Sequence, residues 1–181
     1  PNGRFGFSYL KDNAKMSELF EGVSLKNQLF SILGGVAALS MTNLGYIAIY
    51  EYISDYSAVY STILLISIIL FMVSGTAHHV FCGAIEWFYV KLGRTEEART
   101  IIVDFFKSTI STMYVCFLGV MLFSVTFIVA VASGSTGLPR FACIFNHITF
   151  FLLLSPFRIV GSFNLAGAAT FLSLLIVLCV I

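Results

Sequence analysis

Five long stretches of the chain contain no charged side chain, and together they make up most of it. A helix needs about 20 apolar residues to cross a hydrocarbon core roughly 30 Å thick. The stretches are Asn27–Tyr50, Tyr56–Ile85, Ser108–Pro139, Phe141–Phe157 and Ile159–Ile181. Because these runs are continuously apolar, they favour helices over barrel strands, which alternate in polarity. The sequence therefore predicts an all-α fold, a polytopic bundle of transmembrane helices.

Composition excludes an ordinary soluble domain. Hydrophobic residues make up 59% of the chain and charged residues 10%, with a mean hydropathy of +0.96, whereas soluble domains have roughly 25% charged residues. The Lys and Arg residues form no dense patch, which argues against a nucleic-acid partner. Membrane lipids are the expected surroundings.

The predicted spans cover residues 27–50, 57–85, 106–132, 141–159 and 162–181. They form a single transmembrane domain over 27–181, preceded by a leading segment of residues 1–26, and a loop at about 86–107 separates the second and third spans. The chain opens with Pro rather than Met. We therefore also consider a sixth span before Pro1.

The placement of the basic residues predicts an orientation. If the five spans alternate in direction, one side receives only Arg140. The other side receives the remaining nine basic residues: Arg4, Lys11, Lys15, Lys26, Lys91, Arg94, Arg99, Lys107 and Arg158. By the positive-inside rule, the leading segment and the loop at 86–107 are cytoplasmic. The expected location is a bacterial inner membrane.

Two short helices are predicted on the cytoplasmic side. Met16, Leu19, Phe20 and Val23 recur at helical spacing, which fits an amphipathic helix along the membrane interface or a solvated tether with a few apolar residues. In the loop, Thr95 is a good N-cap and is followed by two glutamates. A helix is therefore predicted to begin there and to continue into the third span.

The second span contains the most informative polar residues. Ser74, His78, Cys82 and Glu86 follow one another at four-residue steps and so share one helix face. His79 lies on a neighbouring face between Gly75 and Gly83, where small residues let another helix approach closely. Polar side chains at such depth are costly unless they are paired or hydrated, which makes them candidates for a functional site.

A structural interpretation of the same residues is equally open. Histidine beside Trp87 and its aromatic neighbours is common in the interfacial belt of membrane proteins. Glu86 is expected to pair with His78 or His79, or with Arg158 at the cytoplasmic end of the fourth span; a Glu–Arg pair would act only to fix the fold.

A second polar set comprises Asn43, Asn146 and His147, which we place nearer the outer side. The two asparagines are interpreted as interhelical hydrogen-bond partners in preference to ligand contacts. The expected depth difference between His78 and His147 argues against a shared metal site, so no metal and no particular cofactor is predicted.

Most of the other small and polar residues are expected to serve helix packing. Small residues share helix faces that favour tight packing and a homodimer seam: Ser31 with Gly35, Gly34 with Ala38, and Ser162 with Ala166 and Thr170. Hydroxyl residues are concentrated at residues 108–114, which predicts a hydrated vestibule or hydrogen bonds back to the helix. The four cysteines have no paired spacing and are interpreted as buried packing residues.

The Ser74–His78 spacing resembles one element of the membrane-embedded metal-dependent hydrolases that include alkaline ceramidases and adiponectin-type receptors. That family also needs an Asp within a span and a late His-x-x-x-His, which this chain lacks. As a whole, from Ser74 through Leu138-Pro139 to Asn146-His147, the chain resembles uncharacterised bacterial multi-pass membrane proteins, a resemblance that implies no activity.

Three functional hypotheses follow. The first is transport or binding of an ion or a small polar or amphipathic molecule in a cytoplasm-facing cavity lined by Ser74, His78, His79, Glu86 and Arg158. The second is a lipid-modifying enzyme, hydrolase-like, with a histidine as general base. The third is a noncatalytic assembly or scaffold subunit in which the polar residues only fix helix register.

Overall fold

The computed structural model describes residues 6–157 and 162–180, with the side chains of residues 162–164 excepted. All secondary structure in the described residues is helical, which confirms the predicted all-α class. The α-helices are α1 (Asn13–Leu19), α2 (Leu25–Ser54), α3 (Ala58–Lys91), α4 (Glu96–Thr109), α5 (Ser111–Ala132), α6 (His147–Leu154) and α7 (Ser162–Val180). Short 3-10 helices cover Phe7–Lys11, Arg140–Ile144 and Ser155–Phe157.

Three helical segments of the described chain are long and apolar enough to cross a membrane. They are Leu25–Ser54, Ala58–Lys91 and Glu96–Ala132, of 30, 34 and 37 residues. The third combines α4 and α5, which only Ile110 separates. These segments contain the first three predicted spans.

The fourth apolar stretch is not a single helix, contrary to the continuous helix predicted over 141–159. A 3-10 helix after Pro139 ends at Ile144, and α6 then begins at His147 with Asn146 as its N-cap. Helix α6 has 8 residues and ends at Leu154, before Pro156, which has no backbone N–H to donate to a helix. Its apolar run, His147–Phe157, is shorter than a membrane-spanning helix.

The chain divides into two compact units, and α2 and α3 contribute to both. The first unit comprises Pro1–Leu39 and Ser74–Tyr114, and the second comprises Ser40–Val73 and Val115–Ile181. The predicted leading segment, residues 1–26, belongs to the first unit.

The first unit has its core where α1 packs against the end of α3 and the start of α4. Its buried members are Met16, Leu19, Phe20, Ile85, Tyr89, Ala98 and Ile102. The Phe20 and Tyr89 rings meet edge to face at 5.8 Å. The apolar residues Met16, Leu19 and Phe20 are thus covered by protein, and a short helix forms in the predicted region. Its position at a membrane interface stays a prediction.

Local hydrogen bonds define the ends of the leading helix. The Asp12 side chain caps α1 by accepting from the Lys15 backbone N–H at 3.2 Å. That hydrogen bond holds the pKa of the Asp12 carboxyl below its usual value. After α1, Gly22 adopts a φ of +68°, a left-handed conformation that glycine adopts without strain. The chain turns there and enters α2.

The predicted start of α4 is confirmed. The Thr95 side chain accepts from the Ala98 backbone N–H at 3.1 Å, and Glu96 and Glu97 occupy the first turn. Two arginines of this region donate to backbone carbonyls of the leading segment: Arg99 to Leu10 at 2.6 Å and Arg94 to Ser17 at 3.1 Å.

The second unit has an aromatic core centred on Tyr46. Its ring meets Phe71, Phe123 and Phe171 edge to face, at centroid distances of 4.6 to 4.9 Å. Nearby, α5 approaches α3 so closely at Gly119 that a Cβ there would lie 2.6 Å from the Phe71 backbone nitrogen. Only glycine fits at this contact.

Candidate functional site

A polar cavity of about 540 Å³ lies within the first unit. The turn before α2, the first turns of α2 and one face of α3 form its wall. Its lining residues are Glu21, Gly22, Val23, Ser24, Asn27, Gln28, Ser31, Ile32, His79, Cys82, Gly83 and Glu86. The volume is in the range of small-molecule sites, about 300–1,000 Å³.

Gln28 is the most unusual of these lining residues. Its side chain is 7% exposed, and neither its Nε2 nor its Oε1 has a hydrogen-bond partner among the described residues. A buried amide without a partner costs about 1–3 kcal/mol, and native proteins contain few such groups. The described contacts therefore do not offset the burial of the Gln28 amide.

His79 is fixed against α2. Its Nε2 lies 3.2 Å from the carbonyl oxygen of Ile32. Because a carbonyl can only accept, Nε2 carries the proton of this hydrogen bond. Gly35 makes room for the ring, since a Cβ at that position would collide with the imidazole, and Ile32 packs onto Gly83. The close approach predicted around His79 is confirmed at Gly83.

His78 points elsewhere and is not among the residues that line this cavity. Its Nδ1 lies 3.1 Å from Thr112 Oγ1, and its Nε2 lies 3.4 Å from Cys82 Sγ. The Thr112 hydroxyl donates its single proton to the Thr109 carbonyl at 2.7 Å, so it accepts from Nδ1–H. The imidazole is then neutral and accepts from the Cys82 thiol. These bonds give His78 a structural role.

The other three residues predicted to line a cavity do not share one position in the structure. Glu86 lines the cavity and Ser74 is not among its lining residues. No salt bridge joins Glu86 to His78 or His79 among the described residues. Arg158 lies outside the described residues.

The second polar set lies in the second unit. Asn146 is fully buried and bonds locally: its Nδ2 donates to Cys143 O at 2.9 Å and to Thr149 Oγ1 at 2.8 Å, and its Oδ1 accepts from the Thr149 N–H at 3.1 Å. The interhelical role predicted for it is wrong, because it caps α6.

His147 Nδ1 and the Tyr46 hydroxyl form a buried hydrogen bond of 2.7 Å. The buried Asn43 Oδ1 has no partner among the described residues.

Hydroxyl groups at the start of the third predicted span bond back to their own helix. Ser108 donates to the Asp104 carbonyl at 2.8 Å and Thr109 to the Phe105 carbonyl at 2.9 Å. None of residues 108–114 lines the cavity. Of the two predicted explanations, hydrogen bonds back to the helix are therefore confirmed for Ser108 and Thr109.

The small-residue faces divide between the inside and the outside of the protein. Gly35 packs against His79, whereas no described atom lies within 4 Å of a Cβ built at Gly34. Ala166 and Thr170 are buried, and Ser162 is among the residues whose side chains are not described. Gly34 with Ala38 is the pair that still carries the predicted homodimer seam, which stays a prediction.

The structure describes all four cysteines as free thiols. Cys82, Cys116 and Cys143 are partly buried, but Cys179 is exposed, so a buried packing role is wrong for Cys179. Within the described residues, no group of three or more His, Cys, Asp or Glu side chains is arranged to hold a metal ion.

Sequence reasoning missed the α2 wall of the cavity. Ser24, Gln28, Ser31 and Gly35 follow one another at spacings of four, three and four residues, which places polar and small side chains on one helix face. Because that face begins an otherwise apolar run, it is a signal that could have paired α2 with the His79 face of α3.

Over the described residues the fold is all-helical and has three helices long and apolar enough to cross a membrane, which indicates an integral membrane protein of the helical class. It belongs to a family of unknown function, DUF6796, whose model matches residues 8–181. No curated protein and no solved structure matches the chain. The resemblance to bacterial multi-pass proteins, and with it the bacterial inner membrane, stays a prediction.

Proposed function

We propose that this protein binds a small polar molecule in the cavity between the start of α2 and the end of α3. The observation that carries the proposal is Gln28, a buried amide that lines the cavity and has no partner among the described residues. A ligand that hydrogen-bonds to this amide would offset its desolvation. The partly buried Glu86 and the fixed imidazole of His79 provide further polar contacts in the same wall.

The proposed topology has five crossings, with the fourth assembled from short pieces. Phe171 packs near Gly45, and Leu178 shares an apolar cavity with Tyr52, which supports α7 running in the same direction as α2. The 3-10 helix at Arg140–Ile144 supplies Phe141 to a cavity that Val180 also lines.

The fourth stretch then runs antiparallel to α7, because its later residue His147 lies against Gly167, near the start of α7. Residues 140–157 and α7 would thus cross in opposite directions. With the basic residues on the cytoplasmic side, the cavity opens to the cytoplasm.

Ligand binding is tested by replacing Gln28 with Met, an apolar residue of similar length. Purified protein in detergent is screened against small polar compounds by thermal shift, because a ligand that binds only the folded state raises the melting temperature. The wild type should show a shift with at least one compound that Gln28→Met abolishes.

Leu29→Met is the matched control, since Leu29 adjoins Gln28 on α2 and is 45% exposed. It should keep the full thermal shift. Equal shifts in Gln28→Met and in the wild type would refute binding in this cavity.

Orientation is tested with single cysteines at Ser54 and Glu97, both exposed, in a background whose four native cysteines are Ala. In right-side-out membranes, an impermeant maleimide should label position 54 and spare position 97. Labelling of position 97 would place the α3–α4 turn outside and overturn the proposed topology.

A further inference from the structure

The charges in the cavity wall indicate which class of molecule fits. The lining residues include two carboxylates, Glu21 and Glu86, and no Lys or Arg among those described. The other polar lining groups are neutral amides and hydroxyls, a thiol and the imidazole of His79. A ligand that complements this wall carries positive charge.

We infer that the cavity takes a small molecule with a protonated amine, which pairs with the Glu86 carboxylate while a neutral polar group of the ligand hydrogen-bonds to Gln28. This inference rests on the proposed function. An ammonium group suits the site because it donates up to three hydrogen bonds, and both Glu86 and the Gln28 Oε1 accept.

The partial positive charge at the N-terminus of α2 favours an anionic ligand, but it is weaker than a full charge. Ser24, just before the first residue of α2, and Asn27, in its first turn, line the wall, and a helix N-terminus corresponds to roughly half a positive charge. The full charge of the Glu86 carboxylate outweighs it. A phosphate or carboxylate ligand would have to approach Glu86 without a cation among the described lining residues to balance its charge.

The amine has two sources, a free small molecule or the headgroup of an ethanolamine lipid. Both present the same ammonium group to Glu86, but the lipid also brings a phosphate into or beside the cavity. Because no described lining side chain is cationic, we favour the free amine.

The test compares three probes that share a two-carbon hydroxyl skeleton: ethanolamine, ethylene glycol and glycolate, which are cationic, neutral and anionic. Saturation-transfer NMR on the purified protein should detect ethanolamine in preference to the other two. Glu86→Gln, which keeps the size of the side chain, should weaken ethanolamine binding at least about tenfold.

Glu97→Gln is the control, because Glu97 is exposed and lies outside the cavity; it should leave ethanolamine binding unchanged. Preference for glycolate or ethylene glycol, or unchanged ethanolamine binding in Glu86→Gln with an unchanged melting temperature, would overturn the amine assignment. A second variant, Glu21→Gln at the exposed rim, should weaken binding less than Glu86→Gln.

The outcomes separate this inference from the proposed function. If neutral or anionic compounds bind and Gln28→Met abolishes their binding, the cavity is a ligand site and only the amine assignment fails. If no compound of any charge binds, both fail.

Melting temperatures in phosphatidylethanolamine and phosphatidylcholine nanodiscs distinguish a free amine from a lipid headgroup. Stabilisation by phosphatidylethanolamine, together with no binding of free ethanolamine, would contradict our choice of the free amine.

Discussion

The two units differ in what their buried polar side chains contact. In the second unit, Asn146 caps α6 through three hydrogen bonds, Tyr46 bonds to His147, and the described cavities are lined almost wholly by apolar side chains. In the first unit, Gln28 has no partner among the described residues and lines a polar cavity. A buried polar group with a protein partner stabilises the fold, whereas the unpartnered amide at a polar cavity is the observation from which we propose a ligand site.

The distinction depends on the cavity as well as on the missing partner. In the second unit, Asn43 Oδ1 and Ser124 Oγ are also buried without a partner among the described residues. Neither residue lines a described cavity of that unit. They therefore carry no candidate site.

The largest effect is expected for Asn146→Ala in the second unit. The substitution removes the cap of α6 and leaves the partly buried Thr149 N–H without its acceptor. We expect a loss of about 2–3 kcal/mol in the free energy of unfolding, measured in mixed micelles. A loss near zero would mean that these hydrogen bonds do not stabilise the broken fourth stretch.

Tyr46→Phe should follow, with a loss of about 1–2 kcal/mol. It removes the 2.7 Å hydrogen bond to His147 and keeps the ring that packs among three phenylalanines. Tyr114→Phe is the control, because Tyr114 is 60% exposed and should change stability little. Neither substitution should affect ligand binding; an effect of Tyr46→Phe on binding would break the contrast between the units.

Thr95→Ala shows whether a partnered polar group in the first unit behaves like those in the second. Loss of the N-cap of α4 should cost about 1 kcal/mol. Thr100→Ala is the comparison, since its hydroxyl donates only to the Glu96 carbonyl of the same helix and its removal should be nearly neutral. Binding in the cavity should survive both substitutions.

Gln28→Met should change stability by a similarly small amount but with the opposite sign. Replacing an unpartnered buried amide by an apolar side chain should raise the free energy of unfolding by about 1 kcal/mol in the absence of ligand. Chemical unfolding of the ligand-free protein gives this value. A clear loss of stability would show that Gln28 serves the fold, and the difference between the two units would disappear.

Much of the fold could be predicted from the sequence because charge-free runs and caps are local signals. The first three apolar stretches, the Thr95 cap and the stop at Pro156 follow from such signals. The break at Asn146 could not be predicted from hydropathy, since the residues on both sides are equally apolar.

The site was predicted in part, for a related reason. Four-residue spacing correctly placed Cys82 within reach of His78, and Glu86 does line the cavity. The sequence could not tell which face of α3 is covered by protein and which borders open space, because that depends on the position of α2. Spacing along α3 alone therefore assigns His78 to the cavity and does not identify Gln28, which lies on α2.

The contacts of the leading segment determine the order in which the first unit can assemble. Leu10 and Ser17 accept hydrogen bonds from Arg99 and Arg94, 89 and 77 residues further along the chain. Contacts of such sequence separation form late. During synthesis, Met16, Leu19 and Phe20 therefore stay uncovered until the α3–α4 turn has been made. During that interval the segment is open to chaperones and proteases, and its docking completes the core of the first unit.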